Sequence, residues 1–535
     1  MAEAVRQRRR ARHILDNYYC GPADDPDELE IWGYTDRFTY RPGDVVDLRV
    51  STTASTWDVE VGRDGAEYEA VFAEHGRPGE HHPVAADVYA SGCDWPVGVS
   101  FTIADDWRPG GYLVTLTGRR GDEVVEEHHI VFVRSSVEQC PDLALLVTTG
   151  TWVAYNDWGG ANAYEGIAGP GGDGFSPRLS LRRPWTRGFC RLPAGAPRTV
   201  EDAPPTPGEM TRYPYMEWAF AYGYSKKYAS AGWATYERPF ARWADAEGLA
   251  FDVLTQHDLD ADPTALDGYR CVVVVGHDEY WTGPQRDVVD AWVDGGGRLA
   301  RFAGDFLWKV RMEDEGRTQV AYKHLARRHD PERDATGGAG ITGPWEAPEV
   351  GRPGVSTVGA NGLAGIYAGL GRCVGQGPNG FTIYRPDHWA FADAGLGYGD
   401  VLGARSRIFG YEVDGLDLVI RDGLPEPTGA DGASTDIEIL GVGLAVSAES
   451  DTGVWGETLY IETSSRDFKA YALHGEVTSE ALEQTQRGNG VIVSWRRGEG
   501  EIFCAATCEW VAGLLRHDHQ VEQVTRNVLR RFLGR

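Results

Sequence analysis

The chain has 535 residues, 42% of them hydrophobic and 11% aromatic, enough for two or three domains with cores of their own. Its 80 acidic against 52 basic residues leave a formal charge of −28, which argues against a polyanion such as nucleic acid as a partner. The longest apolar runs, such as Cys271–Val275, are strand-length and far below the roughly 20 residues of a membrane span, so no membrane association is expected.

Residues 1–29 form a lead with a short helix expected over Ala4–Asn17. Arg6, Arg8, Arg9, Arg10 and Arg12 are followed by no apolar run, so a secretory signal is not expected there. The eight cysteines are scattered, and Cys504 and Cys508 match no zinc or redox spacing. Reduced thiols in the cytoplasm are the expectation. Residues 30–138 read as an all-β domain, with strands at Val45–Val50, Trp57–Val61, Gly98–Ile103, Gly111–Thr117 and His129–Val133. Short strands at this density suggest an immunoglobulin-like sandwich, a scaffold with no catalytic constellation of its own.

Residues 139–535 read as one α/β domain with long β-rich and loop insertions. Continuous apolar strands at Leu143–Val147, Phe251–Leu254, Cys271–Val275 and Arg298–Phe302 alternate with helices at Glu217–Gly232, Pro239–Glu247 and Gly283–Asp294. This is the pattern of a parallel sheet covered on both faces. Further along, strands are expected at Phe381–Tyr384, Ile408–Tyr411, Leu459–Thr463, Gly490–Trp495 and Glu501–Ala505, with a closing amphipathic helix at Glu522–Phe532.

In open α/β sheets, ligands bind outside the carboxyl ends of the strands, and that rule selects three segments. Gly276-His277-Asp278-Glu279-Tyr280-Trp281 is the richest: an imidazole and two carboxylates could supply a base and its orienter, and a phenol could bind a hard metal. The competing reading is that Asp278 or Glu279 merely caps the following helix. Tyr155, Asn156 and Asp157, with glycines behind them, form either a pocket loop or an Asn–Asp turn. Asp305 follows the third strand. Downstream, His388 and Glu412 are weaker candidates, and His517 with His519 reads as surface. No phosphate-binding loop, dinucleotide fingerprint, nucleophile elbow or zincin helix is present.

The runs Thr151–Gly160, Gly276–Trp281 and Val524–Phe532, with the turn Trp107–Tyr112, resemble the large (β) subunit family of N,N-dimethylformamidase. The resemblance covers the chain from about residue 20 to its end. It implies a glutamine-amidotransferase-like core with a flavodoxin-like parallel sheet, and hydrolysis of a small N-substituted amide at a mononuclear ferric site of two tyrosines and a glutamate. Tyr280 matches one tyrosine. By spacing from Trp243 the other falls at Pro239, with Tyr236 three residues away as the substitute. The stretch expected to hold the glutamate corresponds to Gly337–Trp345, where none occurs before Glu346.

The resulting expectation is a C–N hydrolase, with one Fe3+ as cofactor and Tyr280 and Tyr236 as ligands. Glu279, His277, Asp157 and Glu412 are the candidate catalytic groups, and Tyr155, Asn156, Asp305 and His388 would contact substrate. Its partners would be a small amide and either further copies or a small subunit. The alternatives are the same fold with an altered iron site acting on another substrate, and a non-catalytic binding or partner subunit.

Overall fold

The computed structural model describes residues 19–23, 25, 27–136, 140–172, 174–200, 214–335, 340–369, 379–446, 465–485 and 487–535. The expected lead helix Ala4–Asn17 and strand Leu459–Thr463 lie outside the described residues. The chain forms two compact units, each discontinuous in sequence. One comprises Met1–Ala196, Tyr215–Ala261 and Met312–Val320; the other comprises Pro197–Pro214, Asp262–Arg311 and Ala321–Arg535.

In the first unit, Ile31–Thr35, Val45–Thr52 and Val97–Thr102 form a three-stranded sheet. Thr39–Tyr40, Glu123–Val133, Gly110–Arg120, Thr56–Asp64 and Tyr68–Pro78 form a five-stranded one, in that order. Alternation decides which side chains face inward: Val46, Leu48 and Val50 are buried while Asp47 points out. They join Val59, Val61, Val114, Leu116 and Val131 in one core shared by both sheets. Tyr68–Pro78 escaped the sequence reading because its side chains are mostly exposed, leaving no apolar face to detect.

The same unit holds the parallel pair Leu143–Val147 and Asp252–Thr255, paired from Ala144↔Asp252 to Val147↔Thr255. The aromatic helix is shorter than expected, Pro214–Tyr222 instead of Glu217–Gly232. Gly223, at φ +76°, turns the chain left-handed directly after it. The next helix runs Glu237–Ala246.

The second unit is built on a mixed sheet. Cys271–His277, Arg298–Gly304 and Gly500–Ala505 lie parallel in that order, and Arg487–Arg497, Glu438–Val446, Phe381–Ile383 and Val401–Leu402 continue it antiparallel. Helix Gly283–Asp294 crosses over between the first two strands, as their parallel register requires. The C-terminal helix His519–Leu533 buries Val521, Val524, Val528 and Phe532 along one stripe. Asp518 caps it by accepting from Gln520 and Val521, which explains the Arg516–His519 run. Among the described residues, no helix is long and apolar enough to cross a membrane.

Candidate functional site

The register His277↔Gly304 ends two parallel strands side by side. Their next residues therefore leave the sheet together, and Asp278 N–H donates to Gly304 O at 3.0 Å. A third segment, Tyr411–Gly415, and the residues after strand Gly500–Ala505 close on the same point, with Cys508 N–H donating to Glu412 O at 3.1 Å. Gly304 is required by this crowding. A Cβ there would lie 2.6 Å from Glu412 O and 2.7 Å from Cys508 N. Asp305 and Tyr411, on either side of the junction, hold positive φ of 63° and 60°, a strained conformation for non-glycine residues.

The capping alternative for Asp278 and Glu279 does not hold. Thr282 is the N-cap of helix Gly283–Asp294, forming a reciprocal capping box with Gln285. Both carboxylates are thereby left for other work.

Three carboxylates surround the fully buried His277 imidazole. From Nε2, Glu412 Oε2 lies at 2.7 Å, Glu279 Oε2 at 3.3 Å and Asp305 Oδ2 at 3.7 Å. The Glu412 contact is an ion pair whose alignment falls short of a hydrogen bond. Cys508 completes the wall: donor atoms of His277, Glu412 and Cys508 lie within 4.8 Å of one another, as do those of His277, Glu279 and Asp305. Either set could hold a metal ion. Asp305 Oδ1 is buried with no hydrogen-bond partner among the described residues, and Glu412 Oε2 has the His277 ion pair in place of a hydrogen bond. An orphaned oxygen like that of Asp305 is costly unless a ligand meets it.

Burial opposes the charge on His277, but Glu412 first, then Cys508, overcomes it and raises the imidazole well above its ordinary range. Burial, then Glu412 and Glu279, push the Asp305 carboxyl well above the usual carboxylate range. Burial also raises Glu412, with His277 pulling it back. The Cys508 thiol is raised by burial and by Glu412. Burial and neighbouring charges thus make every one of these four groups hold its proton more tightly than in water.

A second layer fixes these groups. Arg301, itself fully buried, donates Nε to Asp278 at 2.8 Å and Nη1 to Asp414 at 2.6 Å. Asp278 also accepts from Trp281 Nε1 at 2.7 Å, and Asp414 from the Phe306 amide at 2.9 Å. Trp308 Nε1 donates to Glu279 Oε1 at 2.6 Å, leaving the other oxygen toward His277. Tyr411 sets its ring edge-on to the imidazole, 5.3 Å between centroids.

His277, Glu279, Asp305 and Glu412 are therefore brought together. Tyr280 is fully buried beside them in sequence, on the short strand Tyr280–Thr282 paired to Trp308–Val310. His388 is not part of the group; it caps the turn Trp389–Phe391 through Nδ1, accepting from Ala390. Tyr155, Asn156, Asp157 and Tyr236 belong to the first unit. There Asn156 ties a turn, donating to Pro184 O and accepting from Trp158 and Thr186 amides. Asp157 accepts from Ser225 at 2.7 Å, and burial raises it to about 6. Tyr155 packs on Tyr164, with Lys227 Nζ 5.9 Å from its ring. The Tyr236 hydroxyl donates to Ala229 O at 3.2 Å.

Sequence reasoning missed Cys508, Asp414 and Arg301. The strand-end rule applied to Gly500–Ala505 would have reached Cys508; nothing local marks the other two.

A family described as "N,N-dimethylformamidase beta subunit-like, C-terminal" matches residues 56–523. The N,N-dimethylformamidase beta subunit of Alcaligenes sp. is 25% identical over 317 residues, 54% of this chain and 36% of that protein. The matched region thus spans about a third of that relative's length. Among solved structures, Bacteroides uniformis beta-glucuronidase 3 (12% identity, 22% of this chain and 13% of that one) reaches a TM-score of only 0.14. A family 123 glycoside hydrolase from Clostridium perfringens (10% identity, 24% and 31%) reaches 0.09. Scores this low carry no argument about the fold.

Proposed function

Because the chain belongs to the N,N-dimethylformamidase beta subunit-like family, we propose that it hydrolyses the C–N bond of a small amide at the His277 cluster. The observation that carries this reading is the buried set of acid and base around one imidazole. Amide hydrolysis needs both functions. Water adds to the carbonyl carbon and gives its proton to a carboxylate, Glu412 or Glu279. The C–N bond then breaks, and the amine nitrogen takes a proton from His277 or Asp305. The products are a carboxylic acid and an amine. Without a bound ion, His277 is held protonated and acts as the acid while its neighbours supply the base; with one, His277 would have to be a neutral ligand.

The donor chemistry fits a metal. An imidazole with Glu279 and Asp305 is a nitrogen–oxygen set suited to Fe3+ and other borderline or hard ions. A bound ion would supply Lewis acidity toward the amide carbonyl. Tyr280 is the phenol nearest in sequence, whereas Tyr236 spends its hydroxyl on Ala229 O. We read the parallel strands of the second unit as the edge of a glutamine-amidotransferase-like core and the paired sheets of the first as an immunoglobulin-like sandwich. The relative's description as a beta subunit supports a complex with a second chain. Among the described residues all seven cysteines are free thiols, which supports a reducing, cytoplasmic setting.

The test is amine release from a panel of N-alkyl formamides and acetamides, with elemental analysis of the same untagged protein. Amine release that follows metal content supports the full reading. Release without metal removes the ion and keeps the carboxylate mechanism. No release from any amide, with the metal supplied and copurifying chains retained, refutes the reading.

A further inference from the structure

Within the first unit, a cavity of about 510 Å³ opens between β-strand Ile31–Thr35, the loop at residues 81–86 and the turn Gly159–Gly160. Its volume is that of a small-molecule site, roughly 300–1,000 Å³. Trp32 and Trp95 line it, and so do Glu28 and Glu30. Among the described residues, no lysine or arginine lines it.

Glu30 is the informative group. It is 7% exposed. Its Oε2 accepts from the Ala23 amide at 2.8 Å and from Trp32 Nε1 at 3.1 Å. Among the described residues its Oε1 meets only His81 Nε2, at 3.8 Å, beyond hydrogen-bond reach. A carboxylate oxygen with no hydrogen-bond donor among the described residues, on a side chain 7% exposed in a cavity that Trp32 and Trp95 also line, calls for a cation with an apolar body. Burial, helped by Glu28 and Glu127, raises the Glu30 carboxyl to about 7, a shift that a bound cation would reverse. Indole faces attract the same kind of ligand, and the chain's charge of −28 concentrates cations around it.

We propose that this cavity is a binding site for a small organic ammonium, its nitrogen placed at Glu30 Oε1 and its apolar part against Trp32 and Trp95. The site lies wholly within one unit and stands whatever reaction the His277 cluster performs.

The test is isothermal titration of the intact chain with phenethylammonium and with its neutral isostere 2-phenylethanol. The ammonium should bind, and the alcohol should bind at least about ten-fold more weakly. Glu30→Gln should remove about that ten-fold preference. Ala86→Trp, at an exposed position on the cavity wall, should abolish binding of both without touching the core. Equal affinity for the two probes, no binding of the ammonium, or undiminished binding by Ala86→Trp would each overturn the assignment. The last two readouts hold even if Glu30→Gln fails to fold.

Discussion

Replacing Arg301 with methionine probes the layer that holds the candidate site. Arg301, Asp278 and Asp414 are all fully buried, with contacts of 2.8 Å and 2.6 Å. Removing the guanidinium leaves two carboxylates facing each other without a counter-charge, a loss of about 3–5 kcal/mol. At about 2 °C per kcal/mol for a domain of this size, calorimetry should show Tm lower by about 6–10 °C. The triple variant Asp278→Asn, Arg301→Met, Asp414→Asn should recover most of that. Each asparagine oxygen still accepts the hydrogen bond its aspartate took, from Trp281 Nε1 or the Phe306 amide. The reasoning fails if Arg301→Met shifts Tm by less than about 2 °C, or if the triple variant is as unstable as the single one.

Gly304→Ala should cost about 1–3 kcal/mol and lower amide turnover, since the new methyl collides with backbone of both Glu412 and Cys508. Wild-type Tm and turnover in that variant would contradict the close approach. Glu237 accepts from the Thr148 amide and hydroxyl and from Trp152 Nε1, yet burial pushes its carboxyl up to about 7. The unfolded chain ionises from about 4.5 while the folded one stays protonated. Stability is therefore full below about pH 4.5 and declines until about pH 7. Glu237→Gln lacks that titration and should gain about 3 kcal/mol on wild type between pH 5 and pH 8. Parallel Tm–pH curves for the two proteins would show the carboxyl is not held protonated.

Local pattern was enough for elements whose side chains follow a period. Cys271–Val275 announced a buried strand, and the helix expected at Gly283–Asp294 is there, although Thr282 caps it and neither Asp278 nor Glu279 does. The strand-end rule placed His277, Glu279 and Asp305 near a site because it depends only on strand direction. Glu412 was a weak candidate since it lies 135 residues beyond His277 in the numbering, and only the packed fold shows their 2.7 Å contact. Asp414 and Arg301 were invisible for a related reason. An arginine inside an apolar strand looks like an interruption until its two buried partners are known. Tyr68–Pro78 shows the converse limit: an exposed edge strand carries no apolar period.

The account rests on Glu412 working with His277 as part of the catalytic set. Its most direct test is kcat for amine release from the best amide substrate by Glu412→Gln, which keeps the side chain's shape and removes its charge. A fall of at least about a hundred-fold is predicted, measured well below the variant's own Tm, since the lost buried charge also lowers stability. A kcat equal to wild type would contradict it.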